Sequence, residues 1–152
     1  MNQLSNHDHS RFLTRTNQIV GRLGNMGPER ASEHVKKPVL REAVVIQMTW
    51  PGAPTLYYGD EAGVCGWTDP DSRRTYPWGK EDLELIEFHR YMTGIHKRIP
   101  ALRKGALKPL FAGRHQIAYG RMSGDHQTIT VISNRPEPAV MEIPVWAAGD
   151  YG

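Results

Sequence analysis

The chain of 152 residues is long enough for one domain, or for one domain and part of a second. Hydrophobic residues make up 39% and charged residues 23% of it, proportions typical of a folded globular protein and not of a disordered one. The net charge of +3 comes from scattered Lys and Arg residues that form no long basic run, so we expect no nucleic-acid partner.

Cysteine content and apolar runs narrow the class further. A single cysteine, Cys65, excludes an internal disulfide framework and fits a reducing compartment. The first residues lack the basic segment and apolar core of a signal peptide, and no apolar run approaches the roughly 20 residues of a membrane span. We therefore expect no membrane partner and a cytoplasmic protein, with a piece of a larger secreted protein as the alternative.

The first clear helix signal lies at residues 39–48. Pro38 suits the first helical turn, the apolar residues after it follow helical spacing, and the Pro- and Gly-rich segment 51–54 ends the pattern. A short buried strand is predicted next, at 55–58, from its aromatic and branched side chains. These elements predict a helix followed by a strand.

A loop and a second helix follow. Residues 62–79 are rich in Gly, Pro, Asp and Arg, which predicts a long loop, and Trp67 and Trp78 within it argue against disorder. Residues 81–98 carry apolar side chains every three or four positions, with acidic residues at the start and basic residues at the end, as the helix dipole favours. Pro100 terminates this predicted helix.

The C-terminal third changes to a strand pattern. Four strands are predicted, at 107–112, 115–122, 127–134 and 139–145, with short turns between them. Consecutive strands joined by short turns favour an antiparallel sheet. No internal repeat is visible. The order of the elements predicts that the chain combines an α/β part with a β part.

The stretch 4–13 (LSNHDHSRFL) is the most informative for chemistry. A short apolar segment followed by Asn-His-Asp is typical of a strand that carries polar groups at its carboxyl end, where parallel α/β folds build their active sites. Alternatives remain for this stretch alone. His7 and His9 face one side of a strand and are candidate metal ligands, but no third ligand has a supporting spacing.

A Ser-His-Asp hydrolase site using Ser5 or Ser10 is a second alternative, although adjacent His7 and Asp8 would point to opposite faces of a strand. A surface turn with satisfied polar groups is the third.

Two further motifs make the pattern specific. About fifty residues downstream, 51–61 (PGAPTLYYGDE) combines a strand with a carboxylate end, and 69–74 (DPDSRR) follows in the loop. In this order and spacing the three motifs resemble the end of the catalytic domain of the α-amylase family of glycoside hydrolases (family 13). The third motif most resembles the branch containing neopullulanase, cyclomaltodextrinase and maltogenic amylase.

The resemblance implies a fold and a domain organisation. It implies the last two βα units of a (β/α)₈ barrel, the TIM barrel, followed by a truncated antiparallel β domain. The implied division is residues 1–104 for the barrel part and 105–152 for a partial all-β C-terminal domain.

The resemblance also implies site residues. Members of the family hydrolyse or transfer α-glucosidic linkages with retention, which needs a nucleophilic carboxylate and a carboxylic acid/base. Asp8 matches the third carboxylate, a transition-state stabiliser, and His7, Asp69 and Arg73 match residues that bind sugar. The four-residue spacing of Asp69 and Arg73 permits an ion pair between them. Trp67 is the better candidate for stacking on a sugar ring, ahead of Trp78. The implied ligand is an α-glucan or maltooligosaccharide, with no cofactor and no metal.

The resemblance sets limits as well. The nucleophile and the acid/base of the family lie on earlier barrel strands that would precede Met1, so we expect the 152-residue chain to be inactive alone. Glu61 is interpreted as structural, and Tyr57 and Tyr58 as packing residues. A non-catalytic alternative is a sugar-binding or interaction module, since an open barrel edge predicts self-association into a homo-oligomer.

Overall fold

The computed structural model describes residues 1–19, 21, 23–146 and 149, and its elements form an α/β part followed by an antiparallel sheet. Short 3₁₀ turns lie at Glu29–Ser32 and Asp71–Arg73. None of the helices in these ranges is long and apolar enough to cross a membrane. In chain order the elements are β1 (Asn2–Gln3), α1 (Phe12–Arg15), α2 (Leu23–Met26), α3 (Lys37–Thr49), β2 (Pro54–Thr55), α4 (Leu83–Arg98), α5 (Pro100–Lys104), β3 (Ala106–Ala112), β4 (Gln116–Ser123) and β5 (His126–Ser133).

Strands β1 and β2 pair in parallel, with α3 between them in sequence. The buried Gln47 explains how the end of α3 is joined to both strands. Its Nε2 donates to the carbonyl of Asn2 at 3.0 Å and to that of Thr55 at 2.8 Å. The Asn2 side chain in turn donates to the carbonyls of Trp50 and Pro51, both at 3.2 Å. Both strands therefore end at one edge, in a fixed position relative to α3.

Helices α3 and α4 pack together over the hydrophobic core. The two predicted helices are confirmed with small shifts, since α3 is Lys37–Thr49 and α4 starts at Leu83, two residues later than predicted. Pro100 ends α4 as predicted and also opens α5, where a missing N–H costs nothing. The short helices before Lys37 were not predicted. The core contains Leu13, Ala31, Leu40, Val44, Met48, Cys65, Trp67, Leu85 and Met92.

Both strands of the α/β part are shorter than predicted. The strand expected at the beginning of 4–13 is Asn2–Gln3, because the Asn6 side chain accepts bonds from the backbone N–H groups of Asp8 and His9 and turns the chain. The strand expected at 55–58 is Pro54–Thr55. Its predicted burial is also wrong, since Leu56 is 43% and Tyr58 42% exposed.

Three of the four predicted strands of the β part are confirmed within one residue at each end, as the antiparallel sheet β3–β4–β5. The fourth, at 139–145, is wrong, because these residues form no strand. Pro138 and Pro144 donate no backbone hydrogen bond, which disfavours a ladder there. Residues 147, 148 and 150–152 of the predicted C-terminal domain lie outside the described residues.

The sheet is joined to the α/β part through one buried arginine. Arg121 on β4 donates through Nη1 to the Thr49 carbonyl at 2.8 Å, and through Nε and Nη2 to the Gly105 carbonyl at 3.1 and 2.8 Å. The Tyr119 hydroxyl lies 2.6 Å from Thr49 Oγ1, and the Tyr119 ring contacts Trp50 edge to face. The end of α3 therefore carries both the parallel strands and the antiparallel sheet.

The start of α4 depends on Asp82, which suggests a direct test. The Asp82 side chain accepts from the Leu85 N–H at 3.1 Å as an N-cap and forms an ion pair with Lys37 at the start of α3. Partial burial raises the pKa of Asp82, but the bonds from Lys37 and Leu85 and the charges of Lys37 and Arg41 outweigh it. The pKa lies below its ordinary value.

We predict that Asp82→Ala lowers the free energy of unfolding by about 1 kcal/mol at neutral pH, since a cap and an ion pair are lost. Because the folded-state pKa is depressed, the contribution is present above the ordinary Asp pKa and is lost as the pH falls through the folded-state pKa. Urea unfolding across this range measures the difference between the two chains. Glu87→Ala, which removes an exposed ion pair within α4, is the control and should change little. An equal effect of Asp82→Ala at all pH values would contradict the assignment.

Candidate functional site

Two loops meet where the parallel strands end. Residues 4–11 follow β1, and the long segment 56–82 follows β2. Because parallel strands present their carboxyl ends at the same edge, the polar residues after both strands lie side by side. The predicted strand-end motifs are thus brought together in space.

The first loop presents His7 and Asp8 to solvent. The Asn6 amide oxygen accepts from Asp8 N at 2.9 Å and from His9 N at 3.0 Å, so the backbone of the turn is held without using either functional side chain. His7 Nε2 lies 3.4 Å from Asp8 Oδ1, and both side chains are 64% exposed. They are accessible to a ligand and contact each other at the edge of the strands.

Arg73 connects the second loop to the first. Its Nε lies 2.7 Å from Asp69 Oδ1, which realises the four-residue ion pair expected from the sequence. The same Nε donates to the His7 carbonyl at 3.2 Å, and Arg73 Nη2 lies 4.0 Å from Asp8 Oδ1. Ser72 Oγ also donates to the His7 carbonyl, at 3.0 Å. Four of the five predicted site residues therefore form one cluster of two carboxylates, one imidazole and one guanidinium.

Trp67 does not belong to this cluster. Its side chain is 1% exposed, and its indole Nε1 donates to the Gly27 carbonyl at 2.9 Å. The prediction that Trp67 stacks on a sugar is wrong for this structure, because both faces of the ring are covered by the core. Trp78, the alternative in the same loop, is 81% exposed.

The buried Arg11 is the residue that sequence reasoning missed. It is completely buried, and it donates through Nε to the Ser72 carbonyl at 2.8 Å, and through Nη1 to the Tyr58 carbonyl at 2.6 Å and to Asp60 Oδ1 at 3.0 Å. Its guanidinium also lies 4.0 Å from the centroid of the Tyr57 ring. One side chain from the first loop therefore holds three points of the second.

Asp60 has a structural role in this arrangement. Burial raises the pKa of Asp60, and the Ser5 hydroxyl and the Arg11 guanidinium oppose this rise only in part. Ser5 also accepts a bond from the Phe12 N–H at 3.0 Å and is buried. This geometry disfavours Ser5 as the nucleophile of a Ser-His-Asp site, because its oxygen is inside the protein.

A second arginine–carboxylate pair shapes the long loop. Arg74 donates to Asp71 through Nε at 2.9 Å and through Nη2 at 2.7 Å. Asp71 also accepts from Trp67 N at 2.8 Å. Burial raises the pKa of Asp71, but the bonds from Arg74 and Trp67 outweigh it and the pKa is lowered. Gly66 permits this closure, since a Cβ there would lie 2.4 Å from the Asp71 carbonyl oxygen. The loop therefore carries Arg73 on a braced backbone.

A metal centre has little support from the geometry. Within the described part of the chain, no group of three or more His, Cys, Asp or Glu side chains is arranged to hold a metal ion. His7 and His9, the candidate ligands from sequence, lie in the turn held by Asn6. The cluster instead presents hydrogen-bond donors and acceptors to solvent.

Comparison with known proteins identifies the relationship. Residues 1–108 match the family model of the alpha amylase catalytic domain. The chain is 39% identical over 125 residues to amylopullulanase of Thermoanaerobacter thermohydrosulfuricus, covering 80% of this chain and 8% of that protein. It is 32% identical over 152 residues to neopullulanase 2 of Thermoactinomyces vulgaris, covering 97% of this chain and 23% of that protein.

Solved structures give the same relationship. A cyclomaltodextrinase structure superimposes with a TM-score of 0.77 at 30% identity, covering 97% of this chain and 23% of that one. An alpha-amylase of Geobacillus thermoleovorans complexed with acarbose superimposes with a TM-score of 0.66 at 27% identity, over 84% of this chain and 25% of that one. The chain thus spans about a quarter or less of the length of these relatives.

The Arg11–Asp60 pair provides a test of the site's framework. We predict that Arg11→Met lowers the free energy of unfolding by about 3–5 kcal/mol at neutral pH, because Asp60 is left buried without its cation. The loss should shrink as the pH falls through the raised pKa of the buried Asp60 and below the ordinary Asp pKa, where Asp60 is neutral in both folded and unfolded chains. Urea unfolding at several pH values measures it.

Two further variants separate the pair from the side chain alone. Arg11→Met combined with Asp60→Leu should recover part of the stability, since no unpaired charge remains. Arg114→Met, at an exposed position in the turn between β3 and β4, should change stability by less than about 0.5 kcal/mol. A small effect of Arg11→Met alone would show that the pair does not hold the loops.

Proposed function

The chain belongs to the alpha-amylase catalytic-domain family, and we propose that it forms part of the sugar-binding site of a retaining α-glucan hydrolase or transglycosylase. The observation that carries this proposal is the cluster of His7, Asp8, Asp69 and Arg73 on two loops at the carboxyl edge of the parallel strands. The proposed ligand is an α-glucan or maltooligosaccharide. The names of the relatives, among them neopullulanase 2 and cyclomaltodextrinase, support that class.

Each side chain has a role that follows from its chemistry. We assign Asp8 to stabilising the transition state, since an exposed carboxylate accepts bonds from sugar hydroxyls and opposes the positive charge of an oxocarbenium-like ring. His7, in contact with Asp8, donates to or accepts from the same sugar. Arg73 and Asp69, paired at 2.7 Å, present a donor edge and an acceptor edge to a neighbouring glucose unit.

The cleavage step needs two more carboxyl groups. Retention requires a nucleophile and an acid/base about 5–5.5 Å apart across the scissile bond. Asp60 and Asp71 are buried against Arg11 and Arg74, and Asp69 is paired with Arg73, so we do not assign any of them to this step. We infer that both groups come from other strands of the barrel and that the 152-residue chain binds glucan without cleaving it.

The same proposal assigns the parallel strands and the two long helices to part of a barrel. We assign β1 with α3 and β2 with α4 to the last two βα units of a (β/α)₈ barrel, within residues 1–104. The direct parallel pairing of β1 and β2 supports this, because successive barrel strands are neighbours. Residues 105–152 would then begin the β domain that follows the barrel.

Binding of maltotriose tests the proposal. We expect the chain to bind it weakly, and Asp8→Asn to weaken binding roughly two- to tenfold, as the loss of hydrogen bonds to a carboxylate implies. Calorimetry or NMR titration measures the dissociation constant, and a reducing-sugar assay on the same samples measures cleavage.

The matched control is Asp125→Asn, a similar substitution in the turn between β4 and β5, which should leave binding unchanged. Absence of binding by the unsubstituted chain would contradict the proposed function. Cleavage of maltotriose by a preparation free of other amylases would contradict the inference that the two further carboxyl groups lie elsewhere.

Self-association is a second candidate activity. Strands β1 and β2 form a sheet of two strands among the described residues, so each has an edge with unpaired backbone groups, and Leu56 and Trp50 nearby are partly exposed. Such edges pair readily with another chain. We expect sedimentation to show dimers or larger species whose proportion rises with protein concentration. A monomer at the highest concentrations would exclude this activity.

A further inference from the structure

A pair of aromatic side chains stands beyond the cluster of Asp8 and Arg73 on the same loop. The rings of Tyr76 and Trp78 have centroids 4.5 Å apart and are tilted by 49°. Trp78 is largely exposed, while Tyr76 is partly buried beneath it. We call these two side chains the aromatic ridge. Neither of them has been given a role in the proposed function.

The backbone of the aromatic ridge is held in place. Trp78 N donates to the Tyr76 carbonyl at 3.0 Å, and Lys80 N donates to the Pro77 carbonyl at 2.8 Å. Pro77 restricts its own φ, and Gly79 closes the turn with a positive φ of 75°. A rigid aromatic side chain loses little conformational entropy on binding a ligand. The exposed indole can therefore contact a ligand at a small entropic cost.

Carboxylates flank the aromatic ridge. Burial raises the pKa of Tyr76, and the negative charges of Glu61 and Glu81 raise it further, which means that both carboxylates lie close to this phenol. Lys80 next to Trp78 is exposed. The chain after Trp78 is therefore polar as far as Leu83, which is the next exposed apolar side chain.

The position of the aromatic ridge connects it to the site. Trp78 lies five positions after Arg73 in the chain, so the backbone between their Cα atoms spans at most roughly 18 Å. The Tyr58 hydroxyl donates to the Arg74 carbonyl at 2.9 Å and holds the start of the intervening segment against the residues that follow β2. A ligand that extends from Asp8 and Arg73 along this loop would reach the aromatic ridge within that length of backbone.

We propose that the aromatic ridge binds glucose units of an α-glucan beyond those held by Asp8 and Arg73, an inference that rests on the proposed function. The apolar face of a pyranose matches a single exposed indole, and its rim of hydroxyl groups matches the flanking Glu61 and Glu81. A protein partner would instead require a continuous apolar patch, whereas Lys80, Glu81 and Asp82 follow Trp78 closely in the chain. The arrangement therefore favours a long glucan over a protein surface.

The experiment compares a short and a long ligand on the 152-residue chain. Maltotriose and maltoheptaose are titrated against the unsubstituted chain and against Trp78→Ala, Trp78→Phe and Asp8→Asn, with the dissociation constants measured by NMR or calorimetry. The indole signal of Trp78, assigned from its loss in Trp78→Phe, should shift with maltoheptaose and not with maltotriose.

We expect Trp78→Ala to weaken maltoheptaose binding roughly two- to tenfold, the range for an aromatic contact, and to leave maltotriose binding unchanged. Trp78→Phe should retain most of the affinity because a ring face remains. Asp8→Asn should weaken both ligands. Leu83→Ala, which removes another exposed apolar side chain nearby, is the matched control and should change neither.

Each other result overturns the inference in a recognisable way. If Trp78→Ala leaves maltoheptaose binding unchanged while Asp8→Asn weakens it, the aromatic ridge is not a binding site and the proposed function stands. If Trp78→Ala weakens both ligands equally, Trp78 does not act on the additional glucose units. If the unsubstituted chain binds neither sugar, the proposed function and this inference both fail. Thermal unfolding checks that Trp78→Ala remains folded, which its exposure leads us to expect.

Discussion

The arrangement of the candidate site depends on the burial of Arg11. A completely buried guanidinium is costly unless its donors are satisfied, and the chain satisfies most of them with oxygens of the second loop, at Tyr58, Asp60 and Ser72. Because these acceptors lie 47 to 61 residues downstream, forming the bonds requires both loops to fold against each other. These buried bonds fix the backbone of both loops, and the backbone in turn positions the exposed side chains of the cluster.

This division between buried and exposed charge explains how the site is left free for a ligand. The buried pair of Arg11 and Asp60 holds the backbone, and the Asn6 side chain holds the turn that carries Asp8. The exposed pair of Asp69 and Arg73 remains hydrated and contributes little to stability, as exposed ion pairs generally do. Under the proposed function, the pair serves to present donors and acceptors to sugar hydroxyls.

Local patterns in the sequence predicted the parts of the structure that depend on near neighbours. Helices α3 and α4, three strands of the antiparallel sheet and the pair Asp69–Arg73 follow from periodicity, turns or a four-residue spacing. The partner of Arg11 was not predictable, since Asp60 is 49 residues away and no local spacing links the two residues. Trp67 was preferred to Trp78 for stacking on a sugar, but Trp67 is buried and Trp78 is exposed. Burial within the loop is decided by the distant residues that the loop folds against.

Arg121 has a consequence for how the protein opens. Its guanidinium on the central strand of the sheet is bonded to backbone carbonyls at the end of α3 and at the residue before β3. Local opening at either place would leave a charged donor or a carbonyl without a partner inside the protein. The antiparallel sheet and the last turn of α3 therefore belong to one cooperative unit, in which amide hydrogens exchange together through a shared unfolding event.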